Sequence, residues 1–293
     1  MEKLHVTQKT MFDSKIIMNL NIERIRYFLP TVISILLAVF LLCWLLQYAS
    51  FYALSYFFWF GIVIILVGLI SLIKPMRFLL IFKRSIASIV FCGGLFLSVS
   101  VLLWPAPLLH TEGSTKHIDI IMPDYSFQVY NEIEIQASPK KVMQAARQVS
   151  LSEMPPVLFL LRLRAFAMGK NTTISQAQLE KPVLNRGNLV NDTNEIVIGL
   201  IKKTWASVKP PRVKEIEQFE SFKYPGYVRV ACNLYVRNLD NGNTVLCTET
   251  RIQANDKRSR HIFSRYWRII YIGCAITRKV MLDVIAARSE TLS

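Results

Sequence analysis

Little in this sequence invites a catalytic reading. Its 293 residues include 4 histidines, 5 cysteines and 11 glycines. The histidines are scattered, with His5 near the start, His110 and His117 close together, and His261 far downstream. Cys43 and Cys92 fall inside apolar runs, where a thiol is a small hydrophobe. Cys232, Cys247 and Cys274 are odd in number and lack metal-ligand spacing. Neither a structural zinc centre nor a disulfide framework is therefore expected. No nucleophile elbow, zinc-protease helix, phosphate-cradling loop or dinucleotide fingerprint occurs either. The sequence nominates no catalytic residue, no metal ligand and no cofactor.

Charge is absent where it matters most. Three long apolar runs, 28–47, 51–73 and 85–104, contain no Asp, Glu, Lys, Arg or His. Each is long enough to cross a hydrocarbon layer of about 30 Å as a helix. Uncharged interiors argue against a proton relay or ion pathway, so the runs are expected to anchor rather than transport. The tail ahead of the first run is too long and polar for a signal peptide, and that run is expected to stay in place. Lys3, Lys9, Lys15, Arg24 and Arg26 precede the first run, while Lys74, Arg77, Lys83 and Arg84 lie between the second and third. Both basic groups favour the cytoplasmic side, which puts the amino terminus inside and whatever follows the third run in the periplasm or cell exterior.

Composition changes abruptly after the third run. Residues 1–106 hold nine basic and three acidic residues, against twenty-six and seventeen in 107–293. The expected organisation is a basic tail (1–26), a three-helix anchor (27–106), a linker (107–119) and one globular domain (120–293), which is large enough for a real core. Its positive charge is spread along the chain, so nucleic acid is not an expected partner.

Inside that domain, Phe127, Val129, Ile133 and Ile135 share one parity, and Gln128, Glu132 and Glu134 the other, which predicts a half-buried strand. Ser138-Pro139 predicts a helix start, with the helix running to about 149. A second, leucine-rich helix follows Pro155-Pro156 to about 168. Strands are predicted at 176–179, 188–190, 195–202 and 215–222, then as a hairpin pairing 227–238 with 244–254. Asp240-Asn241-Gly242 suits a three-residue hairpin loop with Gly in the left-handed region. That register sets Val230, Cys232, Leu234 and Val236 beside Ile252, Thr250, Thr248 and Leu246. The other face gathers Arg229, Asn233, Tyr235, Glu249, Arg251 and Gln253, with Cys232 and Cys247 on opposite faces.

Asn255-Asp256 can cap a final helix from 257 to about 288. Its apolar stripe is read as Ile262, Phe263, Tyr266, Ile269, Ile270, Gly273, Val280, Met281 and Val284. Lys257, Arg258, His261, Arg265, Arg268 and Lys279 fall on the opposite side.

Strand, two short helices, antiparallel strands and a long closing helix is the order of the helix-grip fold, an α+β class. The residues Met122-Pro-Asp-Tyr-Ser-Phe and Ile133-Glu-Ile-Gln-Ala-Ser-Pro-Lys-Lys-Val142 resemble the opening of the SRPBCC superfamily. Phe222-Lys-Tyr-Pro-Gly-Tyr227, Thr248-Glu-Thr-Arg-Ile-Gln-Ala-Asn-Asp256 and Arg265-Tyr-Trp-Arg-Ile-Ile270 look like uncharacterised bacterial members of it. That superfamily includes START lipid-transfer domains, pollen-allergen-like proteins and polyketide cyclases. The resemblance covers about 120–290. It implies a curved sheet gripping the last helix around a cavity for a hydrophobic ligand, with a cyclase- or hydratase-type enzyme or a partner-binding module as alternatives.

On that basis Phe159, Phe166, Trp205, Tyr266, Trp267 and Ile270 are cavity-wall candidates. Arg258, Arg265 and Arg268 are candidates for contact with anionic lipid headgroups. Glu249 and Arg251 are expected on the polar sheet face in an exposed cross-strand network, and His261 as a solvated helix residue. The expected partners are the lipid bilayer and a hydrophobic small molecule.

Overall fold

In the computed structural model, the described residues are 53–76, 81, 83–113, 115–167, 169, 174–185, 187–203, 211 and 213–291. The first predicted span (28–47), the tail ahead of it and Trp205 lie outside them.

Two apolar helices lead, α1 (Ala53–Ile73) and α2 (Arg84–Leu103), each long and apolar enough to cross a membrane. They form an antiparallel hairpin whose seam is small: Ser55, Gly61, Gly68 and Ser71 on α1 face Ala87, Gly94 and Ser98 on α2. A Cβ at Gly68 would lie 2.6 Å from the Phe91 backbone nitrogen, and one at Gly94 2.8 Å from that of Ile65. Leu54, Phe58, Leu97 and Val101 are buried beside these small residues, while Phe60, Val63, Leu66, Ile89 and Val99 point outward and are exposed. Small residues at the seam let the two helix backbones approach closely.

The chain then runs β1 (Leu109–His110), α3 (His117–Ile121), β2 (Asp124–Tyr125), β3 (Phe127–Ile135) and α4 (Pro139–Gln148). After a 3-10 turn at Leu151–Glu153 come α5 (Pro155–Ala167) and α6 (Gln176–Leu179). Next are β4 (Asn188–Asn191), β5 (Glu195–Lys202), α7 (Ile216–Ser221), β6 (Val228–Asn238), β7 (Thr244–Ala254) and α8 (Lys257–Thr291). The main sheet has five antiparallel strands in the order β3-β7-β6-β5-β4. The architecture is α+β with a long carboxy-terminal helix, as the element order predicts.

The hairpin register is the expected one, with Val230 opposite Ile252 and Val236 opposite Leu246. Leu239 N–H donates to Asn243 O at 2.9 Å, and Gly242 takes φ +82° in the loop between them. Cys232 and Cys247 occur as free thiols on opposite faces.

Three expectations are corrected. Residues 176–179 form a helix rather than a strand, because Ser175 and Gln178 make a capping box in which Gln178 Oε1 accepts from Ser175 N at 3.4 Å. Residues 215–222 also fold as a helix, α7, which drives Phe219 fully into the core beside Val197, Ile201 and Ala231. The linker is structured: β1 pairs with β2, and α3 lies between them.

Both faces of the sheet are therefore covered. One carries α4 and α8, with apolar clusters around Ile135, Leu234, Leu246, Met281 and Ile285 and around Phe127, Ile252, Phe263 and Trp267. The other carries α3, α7 and the β1–β2 ribbon, through Ile118, Ile121, Tyr125, Val197 and Phe219.

Candidate functional site

Two polar assemblies occupy the two faces of the sheet, and their chemistry differs. On the α3 side, Arg251 of β7 donates from Nη2 to Asp119 Oδ1 at 2.6 Å and from Nε to Glu249 Oε1 at 2.5 Å. Its Nη1 reaches Met122 O at 3.0 Å, and its Cζ lies 4.7 Å from the Tyr125 ring centroid. Gln128 Nε2 and Lys116 Nζ donate to Glu249 at 2.7 and 3.2 Å. Asn233 receives Glu249 N–H at 2.9 Å and donates to Glu195 Oε1 at 2.7 Å, while Glu195 Oε2 accepts the His117 backbone N–H at 2.7 Å.

Arg251, Glu249 and Asp119 are buried, so the expected exposed cross-strand network is instead an internal one. The alternation of β7 put both residues on the right face, but not the α3 segment that covers it. Burial opposes the Arg251 charge, yet hydrogen bonds and attraction from Glu249 and Asp119 outweigh it and hold the guanidinium above its ordinary range. Burial likewise opposes the Lys116 charge, and Glu249 raises it overall. With each member engaged, the assembly clamps the segment leaving α2 onto the sheet.

The α8 side is unlike this. Apolar clusters close its two ends, and between them lies a row in which Val129, Thr250, Cys232 and Ile198 stand opposite one another on β3, β7, β6 and β5. The next row begins with Asn131 and Thr248. Thr248 donates to Asn233 O at 2.8 Å. Asn131 Oδ1 and Thr250 Oγ1 are shielded from solvent and have no hydrogen-bond partner among the described residues. Buried polar atoms are seldom left so, since an unmet group costs about 1–3 kcal/mol.

In the middle of α8, Ile270 and Cys274 are half-buried and pack with Val129 and Trp267, and a Cβ placed on Gly273 would meet nothing within 4 Å. Leu200 on β5 is also partly exposed. Apolar clusters thus run along the seam between sheet and α8, and the unmatched Asn131 and Thr250 oxygens lie between them. Among the described residues no carboxylate or imidazole projects from this side of the sheet. Lys202 ends the β5 row, and burial, with the charge of Arg164 on α5, lowers its ammonium below the usual range.

Of the candidates, Tyr266, Trp267 and Ile270 come together on α8. Trp267 packs 5.5 Å from Phe127 and 5.8 Å from Phe263 between ring centroids. Arg164 sits 5.6 Å from the Tyr266 ring centroid. Phe159 and Phe166 are not brought to this seam: they stand on the outer side of α5, at 65% and 82% exposure. Arg258 and Arg265 are exposed, as is His261. Arg268 is fully buried, and burial pushes its guanidinium down to about 10.

The stripe read from sequence is therefore rotated. The helix also meets α1 and α2, through Tyr271 against Tyr56 at 6.0 Å and Ser264 Oγ to Trp104 O at 3.4 Å. A second packing partner widens the buried arc toward Ser264 and Arg268, and Ile269 is left exposed. Asn131 and Thr250 were not singled out, although a polar residue at the apolar parity of β3 is a visible signal.

Compared with known proteins, no family model matches the chain, and no curated protein matches it. Among solved structures, the chain is similar to the crystal structure of hypothetical protein jhp0584 from Helicobacter pylori. Identity is 11% and the TM-score 0.32, over 62% of this chain and 99% of that one.

Proposed function

We propose that this chain is a membrane-anchored domain of the helix-grip kind that binds a hydrophobic small molecule or lipid between its sheet and α8. The observation that carries this reading is a pair of unmatched oxygens on the sheet face beneath α8. Apolar clusters lie on either side of Asn131 and Thr250, whose side-chain oxygens are shielded from solvent and have no hydrogen-bond partner among the described residues. Such a lining suits a ligand that is mostly apolar with a few polar atoms.

The resemblance to the SRPBCC superfamily agrees with a five-stranded antiparallel sheet packed on a long last helix. An enzyme of the cyclase or hydratase kind would need an acid or base in the seam. Among the described residues the sheet offers only Lys202 and the Cys232 thiol there.

The anchoring part rests on the α1–α2 hairpin, with its small seam and apolar exterior. Lys74, Lys83 and Arg84 mark one end of it, Tyr56 and Trp104 the other. By the bias of basic residues toward the cytoplasm, the first end lies inside. The globular domain, joined at the Trp104 end, then lies outside.

The experiment is purification of the full chain in mild detergent, followed by solvent extraction and mass spectrometry, beside Thr250→Leu. A compound bound to the wild type and missing from the variant is the expected result. Identical extracts from two equally folded proteins would remove the proposal.

A further inference from the structure

Helix α5 poses a problem that the seam does not solve. Its sequence, Pro-Pro-Val-Leu-Phe-Leu-Leu-Arg-Leu-Arg-Ala-Phe-Ala, is apolar on almost every side, yet Val157 is its one buried residue. Phe159, Leu163 and Phe166, spaced i, i+4 and i+7, form a single stripe with exposures of 65%, 52% and 82%. Side chains of this size are stabilised by removal from water. A contiguous apolar stripe of this kind marks a contact surface.

Position and charge select the occupant. Arg164 fastens α5 to α8 at Tyr266. Five residues on, about 7.5 Å along the helix axis, Tyr271 meets Tyr56 at the start of α1. Ser264, two residues before Tyr266, touches Trp104 at the end of α2. The α5 contact on α8 therefore falls at the same level along that helix as the contacts of Tyr56 and Trp104, the aromatic types that settle at membrane interfaces. Arg162, adjacent to the stripe, is exposed, and α5 carries no acidic residue. Apolar stripe, flanking arginine and a level on α8 shared with the end of the spans together describe a helix lying in an interface plane.

We propose that α5 inserts its Phe159–Leu163–Phe166 stripe into the bilayer interface, with Arg162 among anionic headgroups. This rests on the reading of α1 and α2 as membrane spans. A helix so placed borders the seam through Arg164 and Tyr266, so a lipid leaving the bilayer meets the seam at that edge.

The test uses the full chain in nanodiscs of mixed phosphatidylcholine and phosphatidylglycerol, with Cys43, Cys92 and Cys274 replaced by alanine. Nitroxide labels are placed one at a time through Phe166→Cys, Leu66→Cys in the middle of α1, and Asn241→Cys in the exposed hairpin loop. Accessibility to oxygen is compared with accessibility to a water-soluble nickel chelate. The expected result is an oxygen-to-nickel ratio at 166 several-fold above that at 241 and approaching that at 66. A water-like ratio at 166 with a lipid-like one at 66 overturns the proposal and leaves the spans standing. Shielding of 166 from both reagents means that protein, a second copy included, covers the stripe, and also overturns it. A water-like ratio at 66 removes the spanning reading and the proposal together.

Discussion

Arg251 and Asp119 stand 132 positions apart in the chain, and their side chains meet at 2.6 Å inside the protein. One belongs to the strand at the middle of the β3-β7-β6 array, the other to the short helix that follows the apolar hairpin. The pair ties the segment nearest the anchor to the most central part of the sheet.

Removing one partner leaves the other charge buried. Asp119→Ala is expected to destabilise the domain by about 3–5 kcal/mol. Arg251→Met combined with Asp119→Leu and Glu249→Gln should recover most of that, because neither carboxylate is then left buried without the guanidinium. Chemical unfolding of the three proteins in detergent measures both effects, and equal stability of Asp119→Ala and wild type would contradict the assignment.

The start of α8 depends on one carboxylate. Asp256 Oδ1 accepts Ser259 N–H at 2.8 Å, and Oδ2 accepts Gly226 N–H at 2.7 Å. Burial would raise its pKa, but these donors outweigh that and hold it below the ordinary 3.8. A depressed carboxylate contributes stability that is full above its unfolded pKa and fades as pH falls through the folded value. Asp256→Ala should therefore cost about 1 kcal/mol near neutrality. The difference from wild type should shrink below pH 3.8. Unfolding curves across pH check the sign.

The α1–α2 hairpin has no room for a side chain at Gly94 or Gly68. Gly94→Leu is expected to force the helices apart and lower stability by about 1–3 kcal/mol or more. Gly93 lies one residue away, where a Cβ meets nothing within 4 Å, and Gly93→Leu should be tolerated. Thermal unfolding in detergent separates the two; similar losses would argue against close packing.

Thr250→Val keeps the shape of a side chain whose hydroxyl lacks a partner among the described residues. The variant is expected to match or exceed wild-type stability, by up to about 1 kcal/mol. It should also retain less of any ligand that hydrogen-bonds in the seam. Melting temperature and extracted ligand, measured on the same sample, should move in opposite directions.

Local pattern made much of this architecture legible. The alternation from Phe127 to Ile135 located β3 to the residue, and the spacing around Asp240-Asn241-Gly242 set the β6–β7 register. Ser138-Pro139 and Asp256 marked two helix starts. Where local pattern was ambiguous, the reading failed: 215–222 looks like a strand until Phe219 has a pocket to enter. The capping box at Ser175 and Gln178 was available and outweighs the short alternation at 176–179.

The candidate site divides in the same way. Tyr266, Trp267 and Ile270 follow from helical spacing on α8, whereas Phe159 and Phe166 share their apolar character and face outward. Hydrophobicity states that a side chain prefers to leave water, without saying whether protein or lipid receives it.

By itself the sequence determined the apolar character of α1 and α2, an antiparallel hairpin with fixed faces and a long capped closing helix, because each depends on residues close in the chain. Tertiary structure alone decided that Glu249 and Arg251 lie beneath α3, and that Arg268 turns inward and Ile269 outward. Those outcomes depend on which surfaces meet across more than a hundred residues, and burial is a property of the meeting.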